Sequence, residues 1–450
     1  MGTKKRIIIA GAGEVGKYLA EMLSKESHDI TVIDTNSERL AAIGSQYDLM
    51  TIQGSGSSFK TLEEAKIKGI DLFIAVTHSE EVNLISAVLA KRLGAKKTIA
   101  RIDNLEYINP LRRMHFINMG VDRMIYPEKI AAKEIISLIR QTGTNQIFEF
   151  SGGRLKLFVV TLDEDALIVN MSLKEATAFT NRVDYRAVAI ERKNKTIIPG
   201  GDDILKSGDN VYVITSPEGI DSLLKNSGKE KEKIENVMII GGSRIGQKVA
   251  SELSSTCRVK LLEFDEKKAL ELAEKLDRSM VLHGDGRSLD LLVEEDIQKM
   301  DAFIAVTGDS ETNILTCALA NKFGVKRTIA EIENFDYFDI ATKMGIESII
   351  NKKLSAASHI YTFTMNAEVA AIKCLTGTDA ELLEFVVNEG TKITKNTLRK
   401  INFPAEAIIG GIIRGNKSFI AKGDTQIKVG DKVVVFSLPS ALQKVESFFT

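Results

Sequence analysis

The chain repeats itself, and this repeat constrains its fold more than any other feature of the sequence. The segment Asp71–Thr77 (DLFIAVT) recurs 230 residues later as Asp301–Thr307 (DAFIAVT). At the same spacing, Thr98–Arg101 (TIAR) returns as Thr328–Glu331 (TIAE). Matches that keep one spacing over such a distance are typical of a tandem duplication. The chain should therefore contain two copies of each structural unit.

A second similarity divides each half into two domains. Ile190–Lys195 (IERKNK) resembles Ile412–Lys417 (IIRGNK), and a Gly-Asp pair follows each segment, at 208–209 and at 430–431. A length of 450 residues by itself predicts three domains at about 150 residues each, and the repeat raises this number to four. The predicted boundaries are 1–142, 143–226, a linker over 227–233, 234–365 and 366–450.

Composition excludes several classes of protein. Hydrophobic residues make up 44% of the chain and charged residues 27%, which is a globular mixture rather than a disordered one. The 60 Lys and Arg residues balance 61 Asp and Glu residues, and this argues against nucleic acid or anionic lipid as a main partner. Cys257, Cys317 and Cys374 form no CxxC pair, and we expect no disulfide framework or zinc site. With no signal peptide and no apolar run near 20 residues, we expect a soluble cytoplasmic protein.

The first domain of each half is predicted to be α/β. Short apolar runs alternate with stretches of helical periodicity, which indicates a doubly wound, Rossmann-like parallel sheet covered by helices on both faces. In the first half the predicted strands are 5–10, 29–34, 49–52, 72–76 and 98–102, and the predicted helices are 15–23, 37–43, 59–65, 82–93 and 110–119. The second domain of each half has short β-rich runs with Gly/Asp turns, as in residues 157–161 and 210–214, and is predicted to be a small α+β domain.

A glycine-rich loop follows the first predicted strand. Gly11, Gly13 and Gly16 form a GxGxxG motif that opens a helix, and Asp34 ends the next strand 18 residues after the last glycine. In this context the glycines allow a tight turn and close approach of a pyrophosphate to the helix N-terminus, while the acid accepts hydrogen bonds from a ribose. An acid at this position favours NAD(H) or another adenine nucleotide over NADP(H). A glycine turn that serves only packing is the alternative interpretation.

The second half carries an altered version of the same loop. Its sequence is Gly241–Gly246 (GGSRIG), in which Ser243 replaces the middle glycine and Arg244 offers a cation. The spacing of 230 would place Phe264 opposite Asp34, but Glu263 ends the strand pattern and is the preferred counterpart. A second nucleotide site and a degenerate structural copy both remain open, because the serine restricts phosphate approach.

Three further loops should face the same crevice, since ligands bind at the carboxyl ends of parallel strands. In the first half they contribute Gly54, Ser55, Thr77, His78 and Arg101. In the second half their counterparts are Gly284, Asp285, Thr307, Gly308 and Glu331. The contrast between Arg101 and Glu331 is informative, because a cation suited to phosphate in one half is an anion in the other. A surface or interface ion pair is the alternative for Arg101.

The residues alone leave three functions open. No positioned acid–base pair, GxSxG motif or P-loop lysine is apparent, which favours ligand binding over chemistry. The first function is a nucleotide-sensing regulator. The second is an NAD-dependent oxidoreductase with a duplicated Rossmann domain. The third is a structural scaffold whose crevices bind nothing.

The tandem layout resembles the regulator-of-potassium-conductance (RCK, also called KTN) family, and within it the two-domain regulatory subunits of Trk-type potassium-uptake systems. The resemblance covers essentially the whole chain. Its carriers are Ile8–Gly16, Ile30–Asn36, Gln53–Gly56, Ile99–Arg101 and Ile408–Asn416.

This resemblance implies a non-catalytic regulatory subunit that binds NAD(H) or ATP/ADP. It implies a homo-oligomer, a tetrameric ring, on the inner face of the cell membrane, where it would gate a membrane potassium-translocating partner without inserting into the bilayer. The cofactor-binding residues that it implies in the first half are Gly11, Ala12, Gly13, Glu14, Val15, Gly16, Asp34, Gly54, Ser55, Thr77, His78 and Arg101. In the second half they are Gly241, Gly242, Ser243, Arg244, Ile245, Glu263, Asp285 and Thr307.

Overall fold

The fold is known from a computed structural model. It describes residues 4–24, 28–140, 147–151, 153–164, 166–179, 185–193, 195–216, 233–346, 348–361, 363–364, 369–374 and 380–450. Apart from residue 233, the predicted linker lies outside these residues. The chain divides into two compact units, which are Met1–Pro127 with Lys353–Gly415 and Lys422–Thr450, and Glu128–Lys352 with Asn416–Ala421.

The first sheet has six parallel strands: β1 (Arg6–Ala10), β2 (Asp29–Asp34), β3 (Met50–Gln53), β4 (Leu72–Ala75), β5 (Lys97–Arg101) and β6 (Arg123–Ile125). Their order is β3-β2-β1-β4-β5-β6. Ile9 in β1 and Ile74 in β4 are fully buried, as expected for a sheet covered on both faces. The strand order reverses between β1 and β4, and a doubly wound sheet opens a crevice at such a point.

Six helices accompany this sheet: α1 (Glu14–Ser24), α2 (Ser37–Gln46), α3 (Phe59–Glu64), α4 (Glu80–Arg92), α5 (Pro110–Met119) and α6 (Pro127–Arg140). The predicted bounds of α5 are confirmed. The Asn109 side chain accepts a hydrogen bond from the Leu111 N–H at its start, and Gly120 ends it with a φ of 108°. These are the roles of an N-cap and of a left-handed C-terminal glycine.

The first small domain is an antiparallel sheet with one helix. Its elements are β7 (Ile147–Phe150), β8 (Leu155–Thr161), α7 (Leu173–Phe179), β9 (Tyr185–Arg192), β10 (Lys195–Ile197) and β11 (Asn210–Thr215). The strand order is β10-β9-β11-β8-β7. Phe158 and Ile190, 0% and 1% exposed, lie in its core.

The second half repeats the doubly wound sheet. Its strands are β12 (Asn236–Ile240), β13 (Arg258–Glu263), β14 (Met280–His283), β15 (Ala302–Ala305), β16 (Arg327–Glu331) and β17 (Ser348–Ile350). Its helices are α8 (Arg244–Leu253), α9 (Glu266–Lys275), α10 (Leu289–Glu294), α11 (Ser310–Lys322), α12 (Phe338–Lys343) and α13 (Lys352–Tyr361). The strand order, β14-β13-β12-β15-β16-β17, matches that of the first sheet.

The second small domain completes the chain. It contains β18 (Val369–Cys374), β19 (Glu381–Val386), β20 (Ala407–Arg414), β21 (Lys417–Ile420), β22 (Lys432–Ser437) and α14 (Leu442–Glu446). These strands form an antiparallel sheet in the order β18-β19-β22-β20-β21. The predicted fold class is therefore confirmed, with two Rossmann-like domains and two small α+β domains.

The compact units do not follow the sequence repeat at α6. This helix follows the last strand of the first sheet, yet its apolar face packs on the second sheet. Ala131, Ile135 and Ile139 lie in one buried cluster with Val237 and Ile239 of β12. In the other unit, residues that follow the second sheet contact the first domain, since the Arg123 guanidinium lies 5.6 Å from the ring centre of Phe363.

Within the described part of the chain, no helix is long and apolar enough to cross a bilayer.

Candidate functional site

The first crevice lies where β1, β2, β4 and β5 end, at the reversal of strand order. Its volume is about 580 Å³. It is lined by eleven of the twelve residues predicted for this half, Gly16 being the exception, and these are Gly11, Ala12, Gly13, Glu14, Val15, Asp34, Gly54, Ser55, Thr77, His78 and Arg101. The structure therefore brings together residues that are spread over about a hundred positions of the sequence.

The three glycines of the first loop differ in what requires them. Gly11 has a φ of 118°, and a Cβ there would lie 2.9 Å from the Val76 carbonyl. A Cβ on Gly16 would lie 1.8 Å from the Gly11 carbonyl oxygen, so the fold requires both residues to be glycine. A Cβ on Gly13 would meet no atom within 4 Å. Only this middle glycine leaves space in the crevice that a ligand can use.

Asp34 stands at the end of β2, beside the glycine loop. One carboxylate oxygen accepts the Ala12 N–H at 2.6 Å, and the other accepts the Asn36 N–H at 2.8 Å. Since an ionised carboxylate has about four acceptor positions, both oxygens keep capacity for further donors such as ribose hydroxyls. The two backbone bonds fix the carboxylate at the mouth of the crevice.

A buried asparagine holds the opposite wall. Asn83 on α4 is 1% exposed, and its Oδ1 accepts from the Thr77 N–H at 2.8 Å and the Thr77 hydroxyl at 2.7 Å. Its Nδ2 donates to the Arg101 carbonyl at 3.0 Å. Asn313 makes the same contacts with Thr307 and Glu331 in the second half. Sequence reasoning did not assign this positioning role, although the recurrence of the asparagine at the repeat spacing was a usable signal.

Cations converge on the first crevice. The side chain of Arg101 is 21% exposed and pairs with Asp103 at 3.2 Å, while its buried Nε has no hydrogen-bond partner. Thus Arg101 is both part of a local ion pair and part of the crevice wall. Three further cationic residues line the crevice, and sequence reasoning missed them: Lys17, Arg39 and Lys353.

Lys353 could not have been identified from the local sequence. It lies on α13, 339 residues after Glu14, and its ammonium pairs with the Glu14 carboxylate at the start of α1. Both residues line the first crevice. No motif of a Rossmann domain includes a residue from a later repeat, so only the folded chain reveals this contact.

The second crevice is built from the equivalent loops, and its volume is about 420 Å³. Five of the eight residues predicted for this half line it, namely Gly241, Ser243, Glu263, Asp285 and Thr307. Three predicted residues, Gly242, Arg244 and Ile245, are not among its lining residues. Arg244 is exposed, and Gly242 and Ile245 are buried.

The strand register places Glu263, and not Phe264, at the position of Asp34. β13 pairs with β12 through Leu262 and Ile240, and the Glu263 carboxylate accepts the Gly242 N–H at 2.8 Å. Unlike Asp34, Glu263 also pairs with Lys268 at 2.8 Å, and its side chain is only 9% exposed. A ribose would therefore compete with an existing ion pair in this crevice.

Ser243 changes the entrance to the second crevice. Its hydroxyl accepts the Gly246 N–H at 3.3 Å and so caps α8. Gly13, its counterpart, has no side chain that could do this. The serine thus occupies, with its own oxygen, part of the helix N-terminus that a phosphate would use.

The end of β16 carries a buried ion-pair cluster in place of Arg101. Glu331 is 2% exposed, and it pairs with Lys352 at 3.0 Å. Lys352 also pairs with Glu333 at 2.6 Å. Burial raises the pKa of the Glu331 carboxyl, while the Lys352 ammonium acts in the opposite direction. The cluster depends on Lys352 to compensate two carboxylates.

Replacing Lys352 with methionine should lower the free energy of unfolding by about 2 kcal/mol near neutral pH, because it leaves a buried carboxylate unpaired. Without the ammonium, the raised pKa of Glu331 rises further above its value in the unfolded chain. The folded protein then binds the proton more tightly, so stability is lost as pH rises through this window. Urea unfolding should therefore show a larger loss at about pH 8 than at about pH 5.

The control for this variant is Lys343→Met. Lys343 pairs with Asp339 on the surface of α12, where the two side chains are 74% and 72% exposed. Its loss should cost less than about 0.5 kcal/mol at either pH. An equal loss at both pH values for Lys352→Met would contradict the assigned role of Glu331.

Family models match both parts of each repeat. The TrkA-N domain model matches residues 7–127 and 237–352. The TrkA-C domain model matches residues 157–228 and 382–450. The two models therefore alternate along the chain, in the same order as its structural domains.

Curated relatives match along the whole chain. The Trk system potassium uptake protein TrkA of Halomonas elongata is 32% identical over 449 residues, which cover 99% of this chain and 98% of the relative. The Trk system potassium uptake protein TrkA homolog 1 of Methanosarcina mazei is 30% identical, with coverage of 99% and 100%.

Solved structures share the fold. The GsuK RCK domain crystal structure has a TM-score of 0.60 at 15% identity and covers 99% of this chain and 95% of its own. The GsuK channel bound to NAD has a TM-score of 0.60 at 15% identity, with coverage of 99% and 79%. GsuK bound to ADP has a TM-score of 0.50 at 15% identity, with coverage of 80% and 69%. At this level of identity the likeness establishes the fold.

Proposed function

We propose that this chain, which belongs to the TrkA family, is the nucleotide-binding regulatory subunit of a potassium-uptake transporter. The observation that carries the proposal is the first crevice. There Gly13 leaves open space in front of the N-terminus of α1, and Asp34 is held 2.6 Å from the loop by the Ala12 N–H. This arrangement suits a pyrophosphate beside a ribose.

The proposed ligand is NAD(H) or ATP/ADP. The N–H groups at the start of α1 would receive the phosphates, and Asp34 would accept hydrogen bonds from the adenosine ribose. Thr77, His78 and Arg101 would contact the rest of the ligand from the β4 and β5 loops. The NAD-bound and ADP-bound forms of GsuK support both ligand classes. A carboxylate at position 34 would repel the 2′-phosphate of NADP(H).

We assign the second crevice the same ligand class with weaker binding. Gly241–Ile245, Glu263, Asp285 and Thr307 would provide the equivalent contacts. Two features support weaker binding, namely the Ser243 hydroxyl at the helix N-terminus and the Lys268 ammonium on the Glu263 carboxylate. A ligand there would have to displace both contacts.

The proposed role is regulation without catalysis. A ligand can shift a conformational equilibrium only by its differential affinity for the two states, which typically amounts to about 1–3 kcal/mol per coupled site. Several identical subunits in a ring would add these contributions. In this account nucleotide binding changes the shape of the ring, and the ring gates a membrane potassium-translocating subunit at the inner face of the cell membrane.

Exposed apolar side chains support a homo-oligomer, which we propose to be a tetrameric ring. Ile85 on α4 and Leu111 on α5 are 52% and 81% exposed. In the second repeat, Leu315 on α11 and Ile340 on α12 are 48% and 50% exposed. Apolar residues exposed at matching positions of both repeats are typical of surfaces that another subunit covers.

Replacing Asp34 with asparagine should weaken ATP and NADH binding about twentyfold, because an amide provides one acceptor oxygen in place of two and lacks the charge. Isothermal titration calorimetry of the whole chain measures this loss. The control is Asp48→Asn, which lies outside the residues that line the crevice and should bind as the wild type does. Unchanged affinity of Asp34→Asn would exclude Asp34 from the site. NADH absorbance should stay constant throughout, whereas its decay with a carbonyl substrate would favour an oxidoreductase.

A further inference from the structure

Lys353 is placed to meet a phosphate, although the proposed function does not use it. Its side chain is 24% exposed, and its ammonium pairs with the carboxylate of Glu14, the first residue of α1. Both residues line the first crevice. Since a pyrophosphate bound to this loop lies against the N-terminus of α1, the ammonium and the phosphates would share one end of the helix.

The second repeat reverses the charges at the two corresponding positions. Arg101 of β5 pairs in register with Ile125 of β6, and Glu331 of β16 pairs with Ile350 of β17. Lys353 follows Ile350 by three residues, so its counterpart is the residue three positions after Ile125, which is Glu128. The first crevice therefore combines Arg101 with Lys353, where the second repeat has two glutamates.

We propose that Lys353 reads the phosphate charge of the nucleotide in the first crevice. Without a ligand, Glu14 holds the ammonium. A bound polyphosphate competes with Glu14 for it, and a nucleotide gains more from this exchange as its number of phosphates rises. The inference rests on the proposed function, because it assumes that the first crevice binds nucleotide.

This exchange carries the signal away from the loop. Lys353 belongs to α13, which follows the second sheet in the sequence, whereas Glu14 belongs to the first domain. Ala357 and Ile360 of the same helix are fully buried, so the helix cannot reorient freely around its lysine. Transfer of the ammonium from Glu14 to a phosphate therefore acts on a packed element of the second repeat, and the contact links ligand charge to that element.

The test compares AMP, ADP and ATP by calorimetry on the whole chain and on three variants. Lys353→Gln should weaken ATP binding about tenfold and AMP binding by less than about threefold, with ADP between them. Lys353→Arg keeps the charge and should preserve the preference for ATP. Lys96→Gln is the matched control, because Lys96 also pairs with a carboxylate, that of Asp71, but lies at the other end of the strands.

A fourth variant tests the exchange itself. Glu14→Gln should raise ATP affinity about threefold in the wild-type background, since the ammonium is released, and by less in the Lys353→Gln background. Additive effects of the two substitutions would overturn the exchange. Equal weakening of AMP and ATP by Lys353→Gln, or an equal loss in Lys96→Gln, would overturn the charge-reading role. Failure of the wild type to bind any of the three nucleotides would overturn the proposed function and this inference together.

Discussion

Replacing Gly13 with aspartate is expected to abolish nucleotide binding, with a loss of at least about a hundredfold, while the first domain stays folded. A side chain at this position meets no protein atom within 4 Å, so it can be accommodated. Aspartate is also a favoured N-cap residue, and Gly13 immediately precedes α1. The same carboxylate would fill the phosphate position and repel its charge. Calorimetry with ATP and NADH measures the binding, and thermal unfolding measures the fold.

Two companion variants separate space from charge and binding from folding. Gly13→Ser introduces the residue that the second repeat has at position 243, and it should weaken binding about tenfold through the added cap and bulk. Gly16→Ala should lower the melting temperature instead, because its Cβ would lie 1.8 Å from the Gly11 carbonyl oxygen. If Gly13→Asp bound ATP as the wild type does, the phosphates could not lie at this loop.

The second large effect is expected in a small domain. Asp209 is fully buried, and its carboxylate accepts two hydrogen bonds of 2.7 Å from the Arg192 guanidinium. It also accepts the Lys206 N–H at 2.8 Å, which fixes the turn before β11. Asp209→Ala should therefore cost about 3 kcal/mol of unfolding free energy, because it leaves a partly buried guanidinium without its partner.

Urea unfolding, followed by the loss of sheet signal, tests this prediction. Asp202→Ala is the matched control in the same domain, because Asp202 pairs with Lys174 while both side chains are largely exposed, at 89% and 68%. Its cost should stay below about 0.5 kcal/mol. Equal effects of the two substitutions would show that the buried pair does not hold the turn.

Asp431 and Arg414 repeat this pair in the second small domain, with the same two 2.7 Å bonds. The Gly-Asp pairs that disclosed the repeat in the sequence are thus explained by a structural requirement. In each copy an arginine at the end of one strand reaches an aspartate in the turn before another strand. The duplicated element is an ion pair that folds the domain, independent of any ligand.

Much of the fold could be predicted because local signals and the repeat agreed. Asn109 and Gly120 marked the ends of α5, where a cap and a left-handed glycine depend on local chemistry alone. Glu263 could be chosen over Phe264 because the apolar pattern of a strand ends at the acid. Most residues predicted for the first crevice line it, since the carboxyl ends of parallel strands necessarily meet.

What the sequence could not provide were contacts between distant segments. The apolar face of α6 indicates a packed helix, but its pattern does not say which sheet it covers. Lys353 appears in the sequence as an ordinary lysine of a helical stretch, and only the folded chain brings it to Glu14. Likewise, Glu331 differs visibly from Arg101, yet its burial and its dependence on Lys352 follow from packing.

The two crevices therefore differ in chemistry although their frames are the same. The first combines an open glycine with Arg101 and Lys353, whereas the second has a self-capped loop and an acid that is already paired. A duplicated protein in which one copy is tuned to phosphate can respond to nucleotide through a single site per chain. This asymmetry gives the proposed regulator one dominant input.

Potassium flux tests the central claim most directly. Proteoliposomes that contain a Trk-type membrane subunit and this chain are loaded for rubidium uptake, and the rate is measured without nucleotide and with ATP, ADP or NADH. With the wild-type chain the rate should change on addition of at least one nucleotide, and with Gly13→Asp it should stay the same. A wild-type rate that ignores all three nucleotides, or a Gly13→Asp complex that responds as the wild type does, would contradict regulation through the first crevice.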